Sequence, residues 1–282
     1  MKKIVVGITV VGKDREGIVA AFTNFIFSQK GNIETVNQNV IKGLFGMYLE
    51  ASFTENTKVE NFDLEIQKLA KKEKMDVSTH HETNTQKNIA LFVTKEPLCL
   101  ETILSAAKKK SLKGNISVIV GTEKTLQSLV KKSKIPFVVI EEKNQEKAET
   151  QIIEICKKYN IDLIALARYM RILTPNFVWR YPNRIINIHP SLLPAFAGAM
   201  AYAQAYERGT KIIGVTSHYV TENLDQGPII FQDSFDVNPN DSLEEIKLKG
   251  QRLEAATLLK AIKMHLENKL EVRWRKVHIK AK

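Results

Sequence analysis

The first 80 residues alternate between strand-like apolar runs and one-sided apolar spacings. Lys3–Val10 has the character of a strand, and a helix beginning near Glu16 is predicted by apolar residues three and four apart, namely Ile18, Val19, Phe22, Phe25 and Ile26. Two strands, a helix and a last strand are predicted to follow at Ile33–Ile41, Met47–Thr54, Asp63–Lys72 and Asp76–His80. This βαββαβ order is the ferredoxin-like plan.

A polar run without apolar periodicity separates this region from the rest of the chain. We therefore predict a first domain over 1–80, a linker over 81–87 and a second domain over 88–282. In the second domain, predicted strands alternate with helices over Asn88–Thr94, Glu101–Lys110, Ile116–Gly121, Leu126–Lys132, Phe137–Ile140, Glu146–Tyr159 and Ile161–Ala167. Such alternation predicts an α/β fold with a doubly wound, mainly parallel sheet.

The second half of this domain continues the sheet and closes it with a long helix. The predicted elements are a strand at Arg184–His189, a helix at Ala199–Arg208, strands at Ile212–Val220 and Pro228–Asp236, and a helix at Leu243–Glu267. No internal repeat is visible.

Composition narrows the class of protein. A chain of 282 residues with 44% hydrophobic and 26% charged residues is ordinary for a globular protein of two domains. No run approaches the ~20 apolar residues of a membrane span, and two distant cysteines, Cys99 and Cys156, support neither a disulfide framework nor a thiolate metal site. We expect a cytoplasmic protein without a membrane partner.

The net charge of +11 raises the question of nucleic acid. The lysines are dispersed over predicted helix faces, as at Lys71-Lys72 and Lys108-Lys109-Lys110, which is typical of solvated surfaces. We therefore expect no nucleic-acid partner. A positive field also suits a substrate that carries glutamate carboxylates.

Asn187 and His189 stand two positions apart at the end of a predicted strand, so their side chains point to the same face. Pro190 and Pro194 end the strand, and open α/β sheets present reactive groups at such carboxyl ends. Further along, Leu224-Asp225-Gln226-Gly227-Pro228 offers a carboxylate. Taken separately, the first pair is also compatible with a satisfied strand end, and the second motif with an ordinary turn.

Together, and in this order, these motifs resemble the formyltransferase family that uses 10-formyltetrahydrofolate. The segment from Tyr181 to Gln232, including Ala205–Gly214, is most similar to the formyltetrahydrofolate deformylases in that family. The resemblance implies hydrolysis of 10-formyltetrahydrofolate to formate and tetrahydrofolate, which supplies formate for one-carbon metabolism and purine synthesis.

The resemblance also implies a role for each of three catalytic residues. Asn187 donates its amide to the formyl oxygen, His189 as imidazolium donates to the developing oxyanion, and Asp225 holds and helps to deprotonate the attacking water. A neighbouring carboxylate favours the cationic form of a histidine, so Asp225 would support this role of His189.

Two walls of a folate site follow from the same resemblance. One consists of Arg168, Tyr169, Met170, Arg171, Ile172 and Leu173, and the other of Val220, Thr221, Glu222 and Leu224. Backbone groups of such loops can bind the edge of a flat pterin ring, while Met170, Ile172 and Leu173 supply apolar surface. The apolar residues are also compatible with a continued sheet core, whereas the arginines favour a rim.

In the first domain, Asp14-Arg15-Glu16-Gly17 resembles the ligand loop of ACT regulatory domains over about residues 1–80. That resemblance implies an amino-acid effector at Asp14 and Gly17. Pairing of subunits through this domain without an effector is an equal alternative, because Asp followed by Gly at a helix start is also a plain cap. We expect a homo-oligomer, either a dimer or a tetramer.

No metal and no cofactor are expected, with 10-formyltetrahydrofolate as the substrate. His189, His218 and Asp225 could be neighbours in space. However, no His-x-x-x-His or Glu-rich helical spacing accompanies them, and asparagine is a poor zinc ligand.

The principal alternative is formyl transfer to an amine, as in glycinamide ribonucleotide formyltransferases, which share the three residues. A phosphorylated acceptor would require a Gly- and Ser-rich turn after the first strand of the domain. This chain has Val93-Thr94-Lys95-Glu96-Pro97-Leu98-Cys99-Leu100, without glycine and with a carboxylate that would repel phosphate. Hydrolysis is therefore favoured.

One segment departs from the deformylase pattern Phe-Lys-Gly-Ala-x-Pro-Tyr. The chain has Phe196-Ala197-Gly198-Ala199-Met200-Ala201-Tyr202, without the lysine and the proline. Since Ala and Met favour helix, we expect either an earlier helix start or a different packing of the segment, with altered activity or substrate positioning. The departure also keeps open a third hypothesis, a folate- or amino-acid-sensing protein with weakened catalysis.

Overall fold

The computed structural model describes residues 3–54, 59–81 and 86–280. They form two compact units, one from the described residues of Met1–Thr85 with Pro175–Pro182, the other from Gln86–Thr174 and Asn183–Lys282. Within the described residues, no helix combines the length and the apolar character needed to cross a bilayer.

The first unit has the predicted βαββαβ order and also contains a short helix from the inserted Pro175–Pro182 segment. Its elements are β1 (Lys3–Lys13), α1 (Ile18–Ser28), β2 (Asn32–Ile41), β3 (Leu44–Thr54), α2 (Val59–Glu73), β4 (Asp76–His81) and α6 (Pro175–Val178). The four strands form an antiparallel sheet in the order β2-β3-β1-β4. Ile18, Phe22 and Ile26 of α1 are buried in its core, as their spacing predicts.

The second unit is built on a seven-stranded sheet in the order β11-β10-β9-β8-β5-β6-β7. Its strands are β5 (Lys87–Val93), β6 (Gly114–Gly121), β7 (Phe137–Val139), β8 (Leu163–Ala167), β9 (Ile185–His189), β10 (Ile212–Tyr219) and β11 (Ile229–Asp236). Strands β5 to β9 pair in parallel, and β10 and β11 are antiparallel. The predicted α/β class and mainly parallel sheet are confirmed.

The strand order reverses at β5, because the chain runs outward to β6 and β7 and then returns to place β8 on the other side. In open α/β sheets, ligands bind outside the carboxyl ends of the strands at such a reversal. The carboxyl ends of β5 and β8, and of β9 beside them, therefore mark the region where a site is expected.

The helices of this unit are α3 (Leu98–Lys108), α4 (Gln127–Val130), α5 (Gln145–Lys158), α7 (Ala201–Glu207) and α8 (Leu243–Leu266). Helix α8 begins with a complete capping box, in which Ser242 and Glu245 satisfy each other's backbone N–H groups. It buries Ile246, Leu258, Ala261 and Ile262, and thereby closes the core.

Several predicted boundaries are wrong. The linker is shorter than 81–87, because His81 ends β4 and Lys87 begins β5; its residues 82–85 lie outside the described residues. Helix α4 gives way to a 3₁₀ turn at Lys131–Ser133, and Lys134 then adopts a left-handed φ of 59°. The short helix α6 and a terminal hairpin, β12 (Leu270–Arg273) and β13 (Lys276–Ile279), were not predicted.

Candidate active site

Strand β9 carries two of the predicted residues to its carboxyl end. It lies between β8 and β10, where Asn187 is opposite Leu166 on one side and His218 on the other, and His189 is opposite Thr216. Because side chains alternate along a strand, Asn187 and His189 share one face. The pairing also brings His218 next to Asn187. His218 was not predicted as a site residue.

His189 is buried, and both of its ring nitrogens have partners. Nδ1 lies 3.3 Å from Oδ2 of Asp225, and Nε2 lies 2.9 Å from the carbonyl oxygen of Phe196. The structure thus brings His189 and Asp225 together, although they are far apart in sequence. It also places a backbone carbonyl where His189 could otherwise donate to a substrate.

Asp225 is held by backbone geometry. It has a left-handed φ of 55°, its side chain is 6% exposed, and its Oδ2 accepts the N–H of Gly198 at 3.1 Å. Two residues later, a Cβ on Gly227 would lie 1.6 Å from the carbonyl oxygen of Tyr219. Only glycine therefore allows this loop to lie so close to the end of β10.

His218 links the amide and the carboxylate. Its Nδ1 donates to the Tyr219 carbonyl at 2.9 Å, so its Nε2 can accept from Nδ2 of Asn187 at 3.3 Å. The same Nε2 lies 3.8 Å from Oδ1 of Asp225. Burial lowers the pKa of His218, which favours the neutral ring that this acceptor role requires.

The turn after β9 is fixed by a buried hydroxyl. Thr216 accepts the N–H of Leu193 at 3.1 Å and donates to the carbonyl of Ser191 at 2.7 Å. The side-chain amide of Gln232 donates to both Thr216 and Leu193, at 2.9 and 3.1 Å. Neighbouring strands thus hold the chain as it leaves His189.

The departure at Phe196–Tyr202 changes side chains but leaves backbone contacts to the site. The groups that reach His189 and Asp225 are the Phe196 carbonyl and the Gly198 N–H. Helix α7 was predicted to begin at Ala199 or earlier. It begins later, at Ala201, because Met200 has a left-handed φ of 62°. Ala201 is the first residue of the helix, where the deformylase pattern has proline, and alanine is a strong helix former at that position.

The first predicted wall divides into exposed and buried side chains. Met170 and Ile172 are both 67% exposed, as a ligand surface requires. Tyr169 and Leu173 are buried, and the ring of Tyr169 lies 5.3 Å from that of Phe92. The expectation that Leu173 supplies apolar surface is therefore wrong, because its side chain belongs to the core.

The two arginines of this wall form their hydrogen bonds with other segments of the protein. Arg168 has a left-handed φ of 61° and pairs with the buried Glu254 at 3.1 Å. Arg171 donates to the carbonyls of Glu142 and Lys143, at 2.8 and 3.1 Å. Between them, the N–H of Met170 donates to Thr94 at the end of β5. Both arginines thus shape the wall through contacts with other segments.

The second predicted wall follows β10. The N–H of Val220 donates to the Ile185 carbonyl at 2.9 Å, and the Thr221 hydroxyl donates to Asn223 at 3.2 Å. Glu222 is half-buried and Leu224 is 51% exposed. Leu224 thus adds exposed apolar surface directly beside Asp225.

In the first unit, Asp14 and Gly17 lie in the exposed turn between β1 and α1. The N–H of Asp14 donates to the Gly43 carbonyl at 2.8 Å, and Gly17, with φ of 84°, is the N-cap of α1 without a side-chain cap. The turn is therefore accessible.

Over residues 3–54, 59–81 and 86–280, no group of three or more His, Cys, Asp and Glu side chains is arranged to hold a metal ion. His189 and His218 both lie near Asp225, but the ring nitrogens of His189 and Nδ1 of His218 already face Asp225 or backbone carbonyls.

Known proteins match both units. Residues 87–262 match the formyl transferase family model, and residues 4–80 match an ACT domain. The formyltetrahydrofolate deformylase of Bacillus subtilis (strain 168) is 38% identical over 265 residues, which are 92% of this chain and 88% of that protein.

Solved structures agree with these matches. A formyltetrahydrofolate deformylase from Pseudomonas syringae pv. tomato str. DC3000 superposes with a TM-score of 0.67 at 31% identity, covering 99% of this chain and 95% of that one. A glycinamide ribonucleotide transformylase from Symbiobacterium toebii has a TM-score of 0.67 at 29% identity, but covers 70% of this chain and 95% of its own. The similarity to deformylases thus extends over nearly the whole length, and the chain belongs to the formyltetrahydrofolate deformylase family.

Proposed function

We propose that the chain hydrolyses 10-formyltetrahydrofolate to formate and tetrahydrofolate, supplying formate for one-carbon metabolism and purine synthesis. The observation that carries the proposal is the contact of His189 with Asp225 beside Asn187, in a chain that matches deformylases over nearly its full length. Water is the acceptor in this reaction.

Asn187 is proposed to bind the formyl oxygen. An asparagine amide has two N–H donors. One of them meets Nε2 of His218 at 3.3 Å, so the second is available to the substrate. The neutral His218 thereby orients the amide. The lone pair on its Nε2 binds Nδ2 of Asn187, so the amide nitrogen, rather than the amide oxygen, faces the proposed position of the formyl group.

Asp225 is proposed to position the attacking water. Its Oδ2 is occupied by His189 and by the N–H of Gly198, so Oδ1 is the oxygen to which a water can donate. As water adds to the formyl carbon, its proton passes towards the carboxylate. The tetrahedral intermediate then releases the N10 amine, which takes up a proton, and formate.

His189 is proposed to stabilise the oxyanion as imidazolium, supported by the charge of Asp225. In the structure its Nε2 lies 2.9 Å from the Phe196 carbonyl oxygen. The formyl oxygen must therefore replace this carbonyl as the hydrogen-bond acceptor when substrate binds. Catalytic hydrogen bonds commonly form only in the complex, so the geometry is compatible with this role.

The folate ring is proposed to lie against Met170, Ile172 and Leu224, whose exposure supports an apolar contact. Leu173 and the remaining residues of both walls would contribute mainly through their backbones. No cofactor or metal takes part in the proposed reaction. The positive charge of the chain favours the glutamate carboxylates of the substrate.

For the first unit we propose assembly of a dimer or tetramer, and we propose the accessible turn at Asp14 and Gly17 as the place where an amino-acid effector would bind. Nucleic acid and membrane are not proposed as partners. A cytoplasmic location is supported by the two cysteines, which are buried thiols in a chain without a disulfide.

The decisive experiment supplies purified protein with 10-formyltetrahydrofolate alone, and measures formate and tetrahydrofolate. We expect both products in equal amounts without an amine. The second candidate is transfer to glycinamide ribonucleotide, which is disfavoured by Glu96 and by the absence of glycine between Thr94 and Pro97. If turnover occurs only in the presence of this amine, the reaction is formyl transfer and the proposal of hydrolysis is wrong.

A further inference from the structure

A buried polar cluster lies beside the three proposed catalytic residues and takes no part in the proposed chemistry. Glu254, on α8, is fully buried. One carboxylate oxygen accepts from Arg168 at 3.1 Å, and the other accepts from the hydroxyl of Tyr202 at 2.6 Å. A single carboxylate therefore joins three segments of the second unit.

The two partners of Glu254 belong to segments that flank the candidate site. Arg168 is the first residue after β8 and opens the wall that carries Met170 and Ile172. Tyr202 is the second residue of α7, directly after the turn whose backbone contacts His189 and Asp225. Displacing either partner would therefore move groups that face the substrate.

The cluster is costly to bury and needs all its members. Burial raises the pKa of Glu254, while Arg168, Tyr202 and the nearby His189 act in the opposite direction. Burial likewise raises the pKa of the Tyr202 hydroxyl, which stays a donor. An ionised carboxylate is tolerated in such a place only when it is paired and hydrogen-bonded.

Helix α8 also leaves space for Tyr202. Gly250 lies one helical turn before Glu254, and a Cβ there would lie 2.2 Å from the Tyr202 hydroxyl oxygen. An alanine at this position would therefore push the tyrosine ring away from Glu254, even though alanine itself favours helix.

We propose that Glu254 is a positioning residue for deformylation, which fixes the folate wall through Arg168 and the turn over His189 and Asp225 through Tyr202. The inference rests on the proposed function. It assigns separate effects to the two contacts: the Tyr202 contact governs turnover, and the Arg168 contact governs folate binding.

The turnover arm uses Tyr202→Phe and Gly250→Ala, which both remove the hydroxyl contact and leave the Arg168–Glu254 pair. We expect kcat for formate release to fall about tenfold, with KM changed less than about threefold. Ser117→Ala is the matched control, because it deletes one hydroxyl that bonds Asn88 at 3.0 Å within the same unit. Wild-type kcat in both test variants, or an equal fall in the control, overturns the assignment of Tyr202.

The binding arm uses Glu254→Gln, which keeps shape and an acceptor for Tyr202 but removes the charge opposite Arg168. We expect tetrahydrofolate to bind about five- to tenfold more weakly, as measured by isothermal titration calorimetry. Asp162→Asn is the control, since its carboxylate accepts the Asn88 N–H at 2.7 Å, at the amino end of the strands. Unchanged affinity in a folded Glu254→Gln protein overturns the proposal.

The two arms separate this inference from the proposed function. Wild-type protein that binds tetrahydrofolate but releases no formate refutes hydrolysis, and Glu254→Gln still tests the positioning role by its affinity. Active wild-type protein with unaffected test variants refutes the positioning role alone.

Discussion

Asp225 is the residue on which the proposed chemistry depends most directly. Its side chain contacts His189, lies 3.8 Å from His218 and accepts the N–H of Gly198. Asp225→Asn preserves size and hydrogen-bonding capacity but removes the charge. We expect turnover to fall by about 10² to 10⁴, with folate binding little changed, because the proposed contacts of the folate ring are with other residues.

The measurement is formate release at saturating 10-formyltetrahydrofolate, with circular dichroism to establish folding. His189→Ala should be similarly severe, and the double variant should be little worse than either single one, because residues that act as a unit are not additive. A folded Asp225→Asn protein with near-wild-type turnover would remove this mechanism.

His218 makes stability depend on pH. Burial lowers its pKa in the folded protein, so its contribution to stability is complete above its unfolded value, about 6.5, and is lost as pH falls below that value. We expect the thermal midpoint of the wild type to drop more between pH 7 and 5 than that of His218→Gln. Parallel pH curves for the two proteins would contradict this prediction.

Sequence and structure agree at the residue scale where the signal is local. Asn187 and His189 are two apart on one strand, so their shared face follows from the pleat alone. The role of His218 depends on antiparallel pairing of β9 with β10, and the burial of Leu173 depends on how the chain turns after β8. Neither property is encoded in a short segment.

At the scale of elements, the loop from Val220 to Pro228 must pack closely against the end of β10 so that Asp225 reaches His189. Gly227→Ala would place a Cβ against the Tyr219 carbonyl, a backbone atom that cannot rotate away. We expect the loop to shift and formate release to fall at least about tenfold, since a 1 Å misplacement of reacting groups has large effects.

The control for this variant is Gln226→Ala, whose side chain is exposed in the same loop. It should retain wild-type turnover. Equal activity of Gly227→Ala and Gln226→Ala, with both proteins folded, would show that the close approach of the loop is not required.

Element type was predictable wherever periodicity was strong, as for α1 and the apolar strand β8. Boundaries were less so, because they depend on single residues in unusual conformations. The left-handed φ of Met200 delays α7, and that of Lys134 follows the shortened helix α4. The polar alternation in β12 and β13 is brief, so the hairpin gives only a weak signal.

At the scale of the whole molecule, two strand-and-helix patterns follow each other along the chain, each with its own buried cluster, apart from Pro175–Pro182, which belongs to the first unit. A cluster of this size is what allows a domain to fold alone. The fragment of residues 86–282 therefore tests whether assembly resides in the first domain and catalysis in the second. It begins at Gln86 because Lys87 is already part of β5.

We expect this fragment to fold, to release formate from 10-formyltetrahydrofolate, and to have a lower oligomeric state by light scattering than the full-length chain, because we propose that residues 1–80 carry the assembly. The control is the full-length protein over the same concentration range, since association depends on concentration. A fragment that keeps the full-length oligomeric state would assign assembly to the second unit. A folded fragment of lower mass that has lost formate release would instead show that assembly through the first unit is required for catalysis.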